Sequence, residues 1–426
     1  MKRIDGGVCA PQGFSVACTA GHIKYENRDD CAMIVSEAPC ISAGTFTSNV
    51  VKAAPVLFDR DIVHSDAPVR AVVVNTGIAN AATGEAGLSI CRAERDEAKK
   101  ALSLAADEEV LVGSTGVIGA QVPQDRILSA IDAMAGKLFR SAEAASAASK
   151  AILTTDTHGK EIAVSFEVGG KKAVIGAMAK GSGMIHPNMC TMLSFVMTDC
   201  AISKDLLQEA LSATVTDSYN MISVDGDMST NDTCILLANG LAGNTEITEK
   251  GADYDTFVQA LSVVNLFLAK SMAEDGEGAT KLMEVRVTGA ASDADARILA
   301  KSVAESMLTK AAVYGNDANW GRIMCALGYA GVDFDPSKTA IFVGNGETLV
   351  AEADRMIAGE NLPDALTLQI VSGGTATDYG EEAATQILSG KHVIITCDMK
   401  AGSGAATAFG CDLTHEYIEI NADYRS

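Results

Sequence analysis

The stretch KGSGMIHPNMCTMLSFVMTD, residues 180–199, runs from a loop marked by glycine and proline directly into an apolar segment. Thr191 stands at the junction of the two. Glycine permits backbone conformations that other residues resist, and a nearly continuous apolar run is typical of a strand buried on both faces. The pattern therefore predicts a threonine fixed at the start of a buried strand, behind a loop that can hold a strained backbone.

A threonine in this position has a specific chemical use. A lone hydroxyl is a weak nucleophile, because nothing close in sequence supplies a base. Attack of the Thr191 hydroxyl on the Cys190 carbonyl would cut the chain and free an α-amine, whose ordinary pKa is about 7.7–8.0, beside that hydroxyl. From periodicity alone a second interpretation stays open, since β-branched residues such as Thr191 also begin ordinary buried strands.

Short apolar strands alternate with amphipathic helices along the rest of the chain. Residues 71–76 (AVVVNT) and 109–113 (EVLVG) are typical of buried strands, and Gly169-Gly170 predicts the turn of a β-hairpin. A second series of strands and helices begins near residue 282. The sequence therefore predicts an α/β protein with an N-terminal domain, 1–282, and a second, smaller C-terminal α/β domain, 283–426.

The composition limits the partners and the compartment. The chain has 426 residues and a net charge of −22, which argues against nucleic acid or an anionic membrane as its main partner. The eleven cysteines form no CxxC pair, and we expect a reducing compartment. No signal segment or membrane-spanning apolar run stands out, so we expect a cytoplasmic protein. The six histidines lack paired ligand spacing, so we expect no metal site.

Nine blocks of sequence, spread from residue 6 to residue 426, resemble the ornithine acetyltransferase family, also called glutamate N-acetyltransferases or the ArgJ family. The 179–199 segment is similar to the family's KGxGM…P…MATML motif. The blocks occur in the family's order, which is a stronger signal than any single motif. They are GGVCAPQGF, EAPCISAGTFTSNVVKAAPV, VVVNTGIANAATGEAG, VGSTGVIG, TTDT, AKGSGMIHPNMCTMLSFVMTD, EGATK, GNDANWGRI and FGCDLTHEYIEINADYRS.

The resemblance implies an ArgJ-like layered α/β fold and an enzyme that cleaves itself between Cys190 and Thr191. The products would be an α chain, 1–190, and a β chain, 191–426, which stay associated as an α2β2 heterotetramer. Thr191 would take the acetyl group from N2-acetyl-L-ornithine, release ornithine and pass the acetyl group to L-glutamate. This ping-pong cycle needs no cofactor, and the resemblance leaves open whether acetyl-CoA is a further substrate.

The resemblance also implies roles for individual residues. Thr191 is the nucleophile, and the Thr115 hydroxyl and Gly116 N–H form the oxyanion hole. A tail docked as a strand end near the site would bring the last residues to the substrate. The substrate-binding positions are Thr154, Lys180, Thr191, Glu277, Asn421 and Ser426.

Three positions depart from the family's usual sequence. Cys190 replaces alanine before the nucleophile, and we expect cleavage to persist because the two side chains are nearly isosteric. A thiol there could also shift the cut by one residue or become oxidised. Ile78 replaces asparagine, which removes a hydrogen-bonding side chain, and Ala318 replaces proline, which frees the local backbone.

Other functions stay open beside the acetyltransferase. A self-cleaving amidase or aminopeptidase of related fold would use water as the acceptor and would not depend on glutamate. An acetyltransferase of secondary metabolism would use a different amino acid. An inactive binding or structural member of the family would remain uncleaved. Lys180, Glu277 and the INADYRS tail favour transfer over hydrolysis.

Overall fold

The computed structural model describes residues 1–186, 192–361 and 367–422. Its strands are β1 Lys2–Ile4, β2 Phe14–Thr19, β3 Cys31–Phe46, β4 Val69–Ile78, β5 Glu109–Val117, β6 Lys160–Val168, β7 Lys171–Lys180, β8 Leu193–Thr198, β9 Ile222–Ser223, β10 Thr233–Ala238, β11 Leu282–Ala290, β12 Ala340–Asn345, β13 Leu368–Ser372, β14 Thr375–Ala376, β15 His392–Asp398 and β16 Gly404–Cys411.

Helices alternate with these strands through most of the chain. They are α1 Ala54–Val63, α2 Gly84–Ala101, α3 Gln124–Ala135, α4 Ala142–Ala151, α5 Lys204–Thr216, α6 Ala252–Glu274, α7 Asp293–Glu305, α8 Met307–Tyr314, α9 Trp320–Gly328, α10 Leu349–Ala358, α11 Glu381–Leu388 and α12 His415–Ala422. The predicted α/β class is confirmed.

The chain divides into two compact units. The first contains 1–181, 187–216 and 228–268, and the second contains 182–186, 217–227 and 269–426. The sequence prediction places one boundary near residue 282. Distant short segments join the second unit because of pairing that the sequence does not reveal: β9, for example, lies parallel to β16.

The first unit is built on a sheet that has nine strands among the described residues. The strand order is β1-β6-β7-β8-β10-β3-β4-β5. The long strand β3 pairs with β10 through residues 41–46 and with β2 through residues 31–36. Val72 and Val74 of β4 pack into one apolar core, whereas Ala71 and Val73 pack into another. Since side chains alternate between the faces of a strand, the run AVVV is buried on both sides, as its sequence predicts.

The strands around the cleavage motif are neighbours in this sheet. The Gly169-Gly170 hairpin is confirmed, because both glycines have positive φ and β6 pairs with β7. β7 pairs in turn with β8, and the register places Lys180 opposite Leu193. Lys180 and Leu193, which lie before and after the predicted cleavage bond in sequence, are therefore the paired ends of two adjacent strands.

In the described part of the second unit, seven strands form a sheet in the order β14-β13-β12-β15-β11-β16-β9. β11 and β15 run parallel, and most of the other pairs are antiparallel. β11 is flanked by β15 on one side and β16 on the other, so it is a central strand, and it supplies the buried residue Glu284.

The expectation of a strand at the C-terminal tail is wrong for the described part, because residues 415–422 form helix α12. In a helix, residues four apart share one face, and Asn421 Nδ2 donates to the carbonyl oxygen of Tyr417 at 2.9 Å. Ile418 is 64% exposed, so this segment lacks the buried alternate residues that a docked strand needs.

Among the described residues, helix α6 is long and apolar enough to meet a composition test for a membrane span. The most apolar 18-residue stretch of this helix is 67% buried within the fold, which is typical of a core helix.

Candidate active site

Strand β5 carries Thr115 and Gly116 near its end. Strands β4 and β5 run parallel, and the register pairs Thr76 with Thr115 and Gly77 with Gly116 before it shifts at Ile78. Gly116 has φ 130°, and a Cβ there would lie 2.2 Å from the carbonyl carbon of Gly77. Both the conformation and the lack of space require glycine at this position. We call residues 114–116 with 77–79 the Gly116 turn.

Three buried polar side chains form hydrogen bonds within the Gly116 turn. Asn231 Nδ2 donates to the carbonyl oxygens of Ala79, at 2.5 Å, and Ser114, at 2.8 Å. Ser114 Oγ donates to Asn75 Oδ1 at 2.6 Å, and Asn75 Nδ2 donates to the Ile78 carbonyl at 3.0 Å. The hydrogen bonds here therefore come from the side chains of Asn75, Ser114 and Asn231, and they do not require a polar side chain at position 78.

Lys180, the last residue of β7, contacts the Gly116 turn. Its Nζ donates to Thr115 Oγ1 at 3.2 Å, and both residues are 8% exposed. An ammonium group has no acceptor, so the threonine oxygen is the acceptor in this bond. The proton of the Thr115 hydroxyl is therefore free to be donated to another group.

The carboxylate of Asp156 lies near the ammonium groups of Lys160 and Lys180 and accepts a hydrogen bond from the backbone just after β7. Lys160 Nζ and the Gly181 N–H each donate to its Oδ1 at 2.7 Å, and the Thr154 N–H donates to Oδ2 at 3.2 Å. Burial alone would raise the pKa of Asp156, but the Lys160 and Lys180 ammonium groups and these hydrogen bonds outweigh it and hold the pKa well below its ordinary value. The group is therefore ionised.

A second group of predicted site residues lies in the second unit. Asn421 Nδ2 donates to Glu277 Oε2 at 2.7 Å, and Glu277 is 6% exposed. The Glu277 N–H donates to the Ser182 carbonyl at 3.0 Å, and a Cβ on Gly183 would lie 2.3 Å from the Glu277 carboxylate. The second glycine of KGSGM therefore leaves room for this carboxylate.

His186 lies next to the undescribed segment 187–191. Its Nδ1 is 3.3 Å from Ser223 Oγ and 3.1 Å from Glu305 Oε1. Burial, with a contribution from the Lys301 ammonium, lowers the pKa of His186 to about 4. The imidazole is therefore neutral at neutral pH and is engaged by residues of the second unit, consistent with a packing role.

The predicted site residues thus form two groups, one in each unit. Thr115, Gly116, Thr154 and Lys180 lie in the first, and Glu277 and Asn421 lie in the second. The predicted nucleophile, the cleavage bond and the last substrate contact stay predictions, because they lie outside the described residues: Thr191, Cys190 and Ser426.

One cluster of potential metal ligands occurs in the described part of the chain, and it comprises Glu284, Glu352 and His392. Lys270 Nζ lies 2.7 Å from Glu284 Oε2 and 2.7 Å from Glu352 Oε2. The ammonium group of Lys270 is therefore already paired with both carboxylates. The absence of a metal from the reaction stays a prediction.

Sequence reasoning did not assign roles to Asp156, Asp225 or Asn231. Asp156 lies inside the TTDT block, and the other two lie within the segment SVDGDMSTND, residues 223–232. An acidic residue surrounded by small polar residues is a weak signal by itself, because such segments are usually solvated turns. Each of these side chains instead accepts or donates at least two hydrogen bonds.

Comparison with known proteins supports the resemblance. The model of the ArgJ family matches residues 15–426. The chain is 49% identical over 413 residues to the arginine biosynthesis bifunctional protein ArgJ 1 of Clostridium acetobutylicum, covering 97% of this chain and 96% of that protein. It is 46% identical over 428 residues to the corresponding ArgJ protein of Symbiobacterium thermophilum, covering 100% of both.

Solved structures include a crystal structure of arginine biosynthesis bifunctional protein ArgJ from Bacillus halodurans. It is 42% identical, with a TM-score of 0.48, and the match covers 55% of this chain and 99% of that chain. The family model and the relatives match nearly the whole sequence, and with them the motif-based prediction is confirmed. The chain belongs to the ArgJ family.

Proposed function

We propose that this protein is an acyltransferase of arginine biosynthesis that moves the acetyl group of N2-acetyl-L-ornithine to L-glutamate. The relatives at 46% and 49% identity carry the name arginine biosynthesis bifunctional protein. The proposal includes self-cleavage between Cys190 and Thr191, which would give chains of 190 and 426 − 190 = 236 residues.

The proposed reaction has two half-reactions. In the first, Thr191 Oγ bonds to the acetyl carbon and its proton passes to the free α-amine of Thr191. The amide C–N bond of the substrate then breaks, and ornithine leaves with that proton on its amine. In the second, the glutamate amine attacks the acetyl carbon of the ester, the ester C–O bond breaks, and the proton lost from the amine restores the threonine hydroxyl. Dividing the transfer in this way replaces one difficult step with two easier ones.

The observation that carries this proposal is the hydrogen bond from Lys180 Nζ to Thr115 Oγ1, at 3.2 Å. It leaves the Thr115 hydroxyl proton available, and the Lys180 charge strengthens the hydroxyl as a donor. With the Gly116 N–H, this donor suits the negative charge that develops on the carbonyl oxygen during acyl transfer. Such stabilisation is needed in both half-reactions.

Glu277 and Asn421 supply the proposed recognition of the amino-acid side. Glu277 is buried, and one oxygen of its carboxylate accepts a hydrogen bond from the neutral amide of Asn421. A buried carboxylate of this kind favours a cationic ligand, and the ammonium groups of ornithine fit that requirement. We place Thr154 and Ser426 at the substrate as well, following the family resemblance.

The remaining parts of the proposal follow from the family. We propose a cytoplasmic enzyme without a cofactor, assembled as an α2β2 heterotetramer, with acetyl-CoA as a possible second acetyl donor to be tested. The ten cysteines of the described residues are free, which suits a reducing compartment.

Product analysis tests the proposal. The purified protein is incubated with N2-acetyl-L-ornithine, with and without L-glutamate, and ornithine, N-acetylglutamate and acetate are measured. We expect ornithine and N-acetylglutamate in equal amounts when glutamate is present. Equal rates of acetate release with and without glutamate would instead support the amidase alternative. A second run with acetyl-CoA in place of N2-acetyl-L-ornithine tests the second donor.

A further inference from the structure

The carboxylate of Asp225 holds the backbone just upstream of the undescribed cleavage segment. Its Oδ2 accepts the Met184 N–H at 2.6 Å, and its Oδ1 accepts the Ile185 N–H at 2.9 Å. Next to it, the Val224 N–H donates to the Ile185 carbonyl at 2.7 Å. Three hydrogen bonds therefore fix two consecutive residues, and all of these groups belong to the second unit.

Met184 is held in a conformation that its residue type disfavours. Its φ is 54°, in the left-handed region, where a Cβ is crowded by the backbone. Its side chain is 40% exposed, so packing of that side chain does little to impose the conformation. Such strain persists only where surrounding groups determine the backbone, and here that group is the Asp225 carboxylate.

The same carboxylate is connected to helix α12. Tyr417 Oη donates to Asp225 Oδ2 at 3.3 Å, and the Asp227 N–H donates to Oδ1 at 3.2 Å. Burial and the neighbouring Asp225 charge raise the pKa of Tyr417, so its hydroxyl stays protonated and remains a donor. Four hydrogen bonds therefore converge on Asp225.

We propose that Asp225 is a positioning residue for self-cleavage, because it fixes the Met184-Ile185 backbone in the strained geometry from which the bond before Thr191 is cut. The inference rests on the proposed function, which includes that cleavage. A relaxed backbone upstream of the bond would populate the reactive arrangement less often. The anionic carboxylate suits this task, since it accepts two consecutive N–H groups with charge-assisted bonds.

The direct test compares the cleavage rates of Asp225→Asn and the wild type. Cell-free synthesis provides fresh precursor, and intact mass under denaturing conditions follows its conversion with time. The amide keeps one acceptor oxygen but loses the second acceptor and the charge, so we expect cleavage to slow roughly 10- to 100-fold. Asp227→Asn is the matched control, because it removes a neighbouring charge and keeps the backbone bond, and it should cleave at the wild-type rate.

A second pair of variants separates positioning from a general effect on folding. Glycine adopts the left-handed conformation without strain, so Met184→Gly in the Asp225→Asn background should restore part of the lost rate. Met184→Ala in the same background removes the side chain but keeps the strain, and it should restore nothing. Thermal melting of each precursor reports whether the fold is intact.

The outcomes distinguish this inference from the proposed function. If the wild type is cleaved and Asp225→Asn is cleaved equally fast, the role of Asp225 is overturned and the proposed function stands. If Asp225→Asn is slow but glycine and alanine at position 184 behave alike, the positioning role is overturned. If the wild type stays uncut, the proposed function fails and this inference fails with it.

Discussion

Thr115 is the residue whose surroundings most directly define its chemical use. Its oxygen accepts from Lys180, so its hydroxyl proton can be donated to a developing oxyanion. The family resemblance of the sequence motif was the basis for predicting that Thr115 and Gly116 form the oxyanion hole. The hydrogen bond from Lys180 to Thr115 could not be predicted from the sequence, since the two residues lie 65 positions apart, on strands β7 and β5 that are not neighbours in the sheet.

Replacing Thr115 with valine should remove the hydroxyl and keep the shape of the side chain. We expect kcat for N-acetylglutamate formation to fall about 100- to 1000-fold with little change in KM, because one oxyanion donor is lost. Thr115→Ser keeps the hydroxyl and should retain most activity. Rates are measured on chains already cleaved, as checked by intact mass. A valine variant of wild-type activity would remove Thr115 from the oxyanion hole.

Asp156→Asn should destabilise the protein, because Lys160 and Lys180 lose their buried counter-charge. We expect a loss of about 3–5 kcal/mol in the free energy of unfolding, measured with urea. Because the folded-state pKa of Asp156 is lowered, its contribution is present above the unfolded pKa of about 3.9 and is lost as the pH falls. The variant should therefore lose less stability on acidification than the wild type.

The exposed residue Asp107 provides the control for this prediction. Asp107→Asn should leave both the urea midpoint and the acid profile close to those of the wild type. If Asp156→Asn and Asp107→Asn behaved alike, the Asp156 network would have no energetic importance.

At the scale of elements, the sequence predicts the presence of strands and helices better than the points at which they end. The apolar runs of β4 and β5 and the Gly169-Gly170 hairpin were recognisable, because their patterns are local. The segment DADARILAKSVAESML predicts one helix, but Ser306 ends α7 and its side chain caps α8 by accepting the Thr309 N–H. A serine within a helical pattern does not show which of these roles it takes.

Strands β4 and β5 approach each other closely at Gly116, so a larger side chain at this position should destabilise the protein. Alanine there would collide with the Gly77 backbone at 2.2 Å, whereas alanine at Gly119 meets nothing within 4 Å. Both glycines have positive φ, so the comparison isolates the collision. We expect Gly116→Ala to cost about 1–3 kcal/mol more than Gly119→Ala in urea unfolding, and to abolish transfer. Equal costs would contradict the close approach of the strands.

At the scale of the whole molecule, the second unit contains a buried charge network centred on Lys270. Glu284 is 1% exposed; burial would raise its pKa, but Lys270, His392 and Arg286 outweigh this and hold the pKa below its ordinary value. Its contribution to stability is therefore present above the unfolded pKa of about 4.3 and is lost as the pH falls. This network could not be predicted from the sequence, because its members come from four separate elements, α6, β11, α10 and β15.

Lys270→Met should leave Glu284 and Glu352 without their shared cation. We expect a loss of about 3–5 kcal/mol in the free energy of unfolding. The double variant Lys270→Met, Glu352→Gln should recover part of the loss, because it buries one charge fewer. Lys250→Met, at an exposed ion pair with Glu209, is the control and should change stability little. If Lys270→Met were as stable as Lys250→Met, the network would not be important for stability.

The central claim for the whole molecule is that Thr191 is a self-generated amino-terminal nucleophile. Intact mass under denaturing conditions tests it after incubation of wild type and Thr191→Ala with N2-acetyl-L-ornithine in the absence of glutamate. We predict two wild-type chains divided between Cys190 and Thr191, with one acetyl group on the chain that begins at Thr191, and a single unacetylated full-length chain in the variant. An uncut wild type, or an acetyl group found on any other residue, would contradict the account.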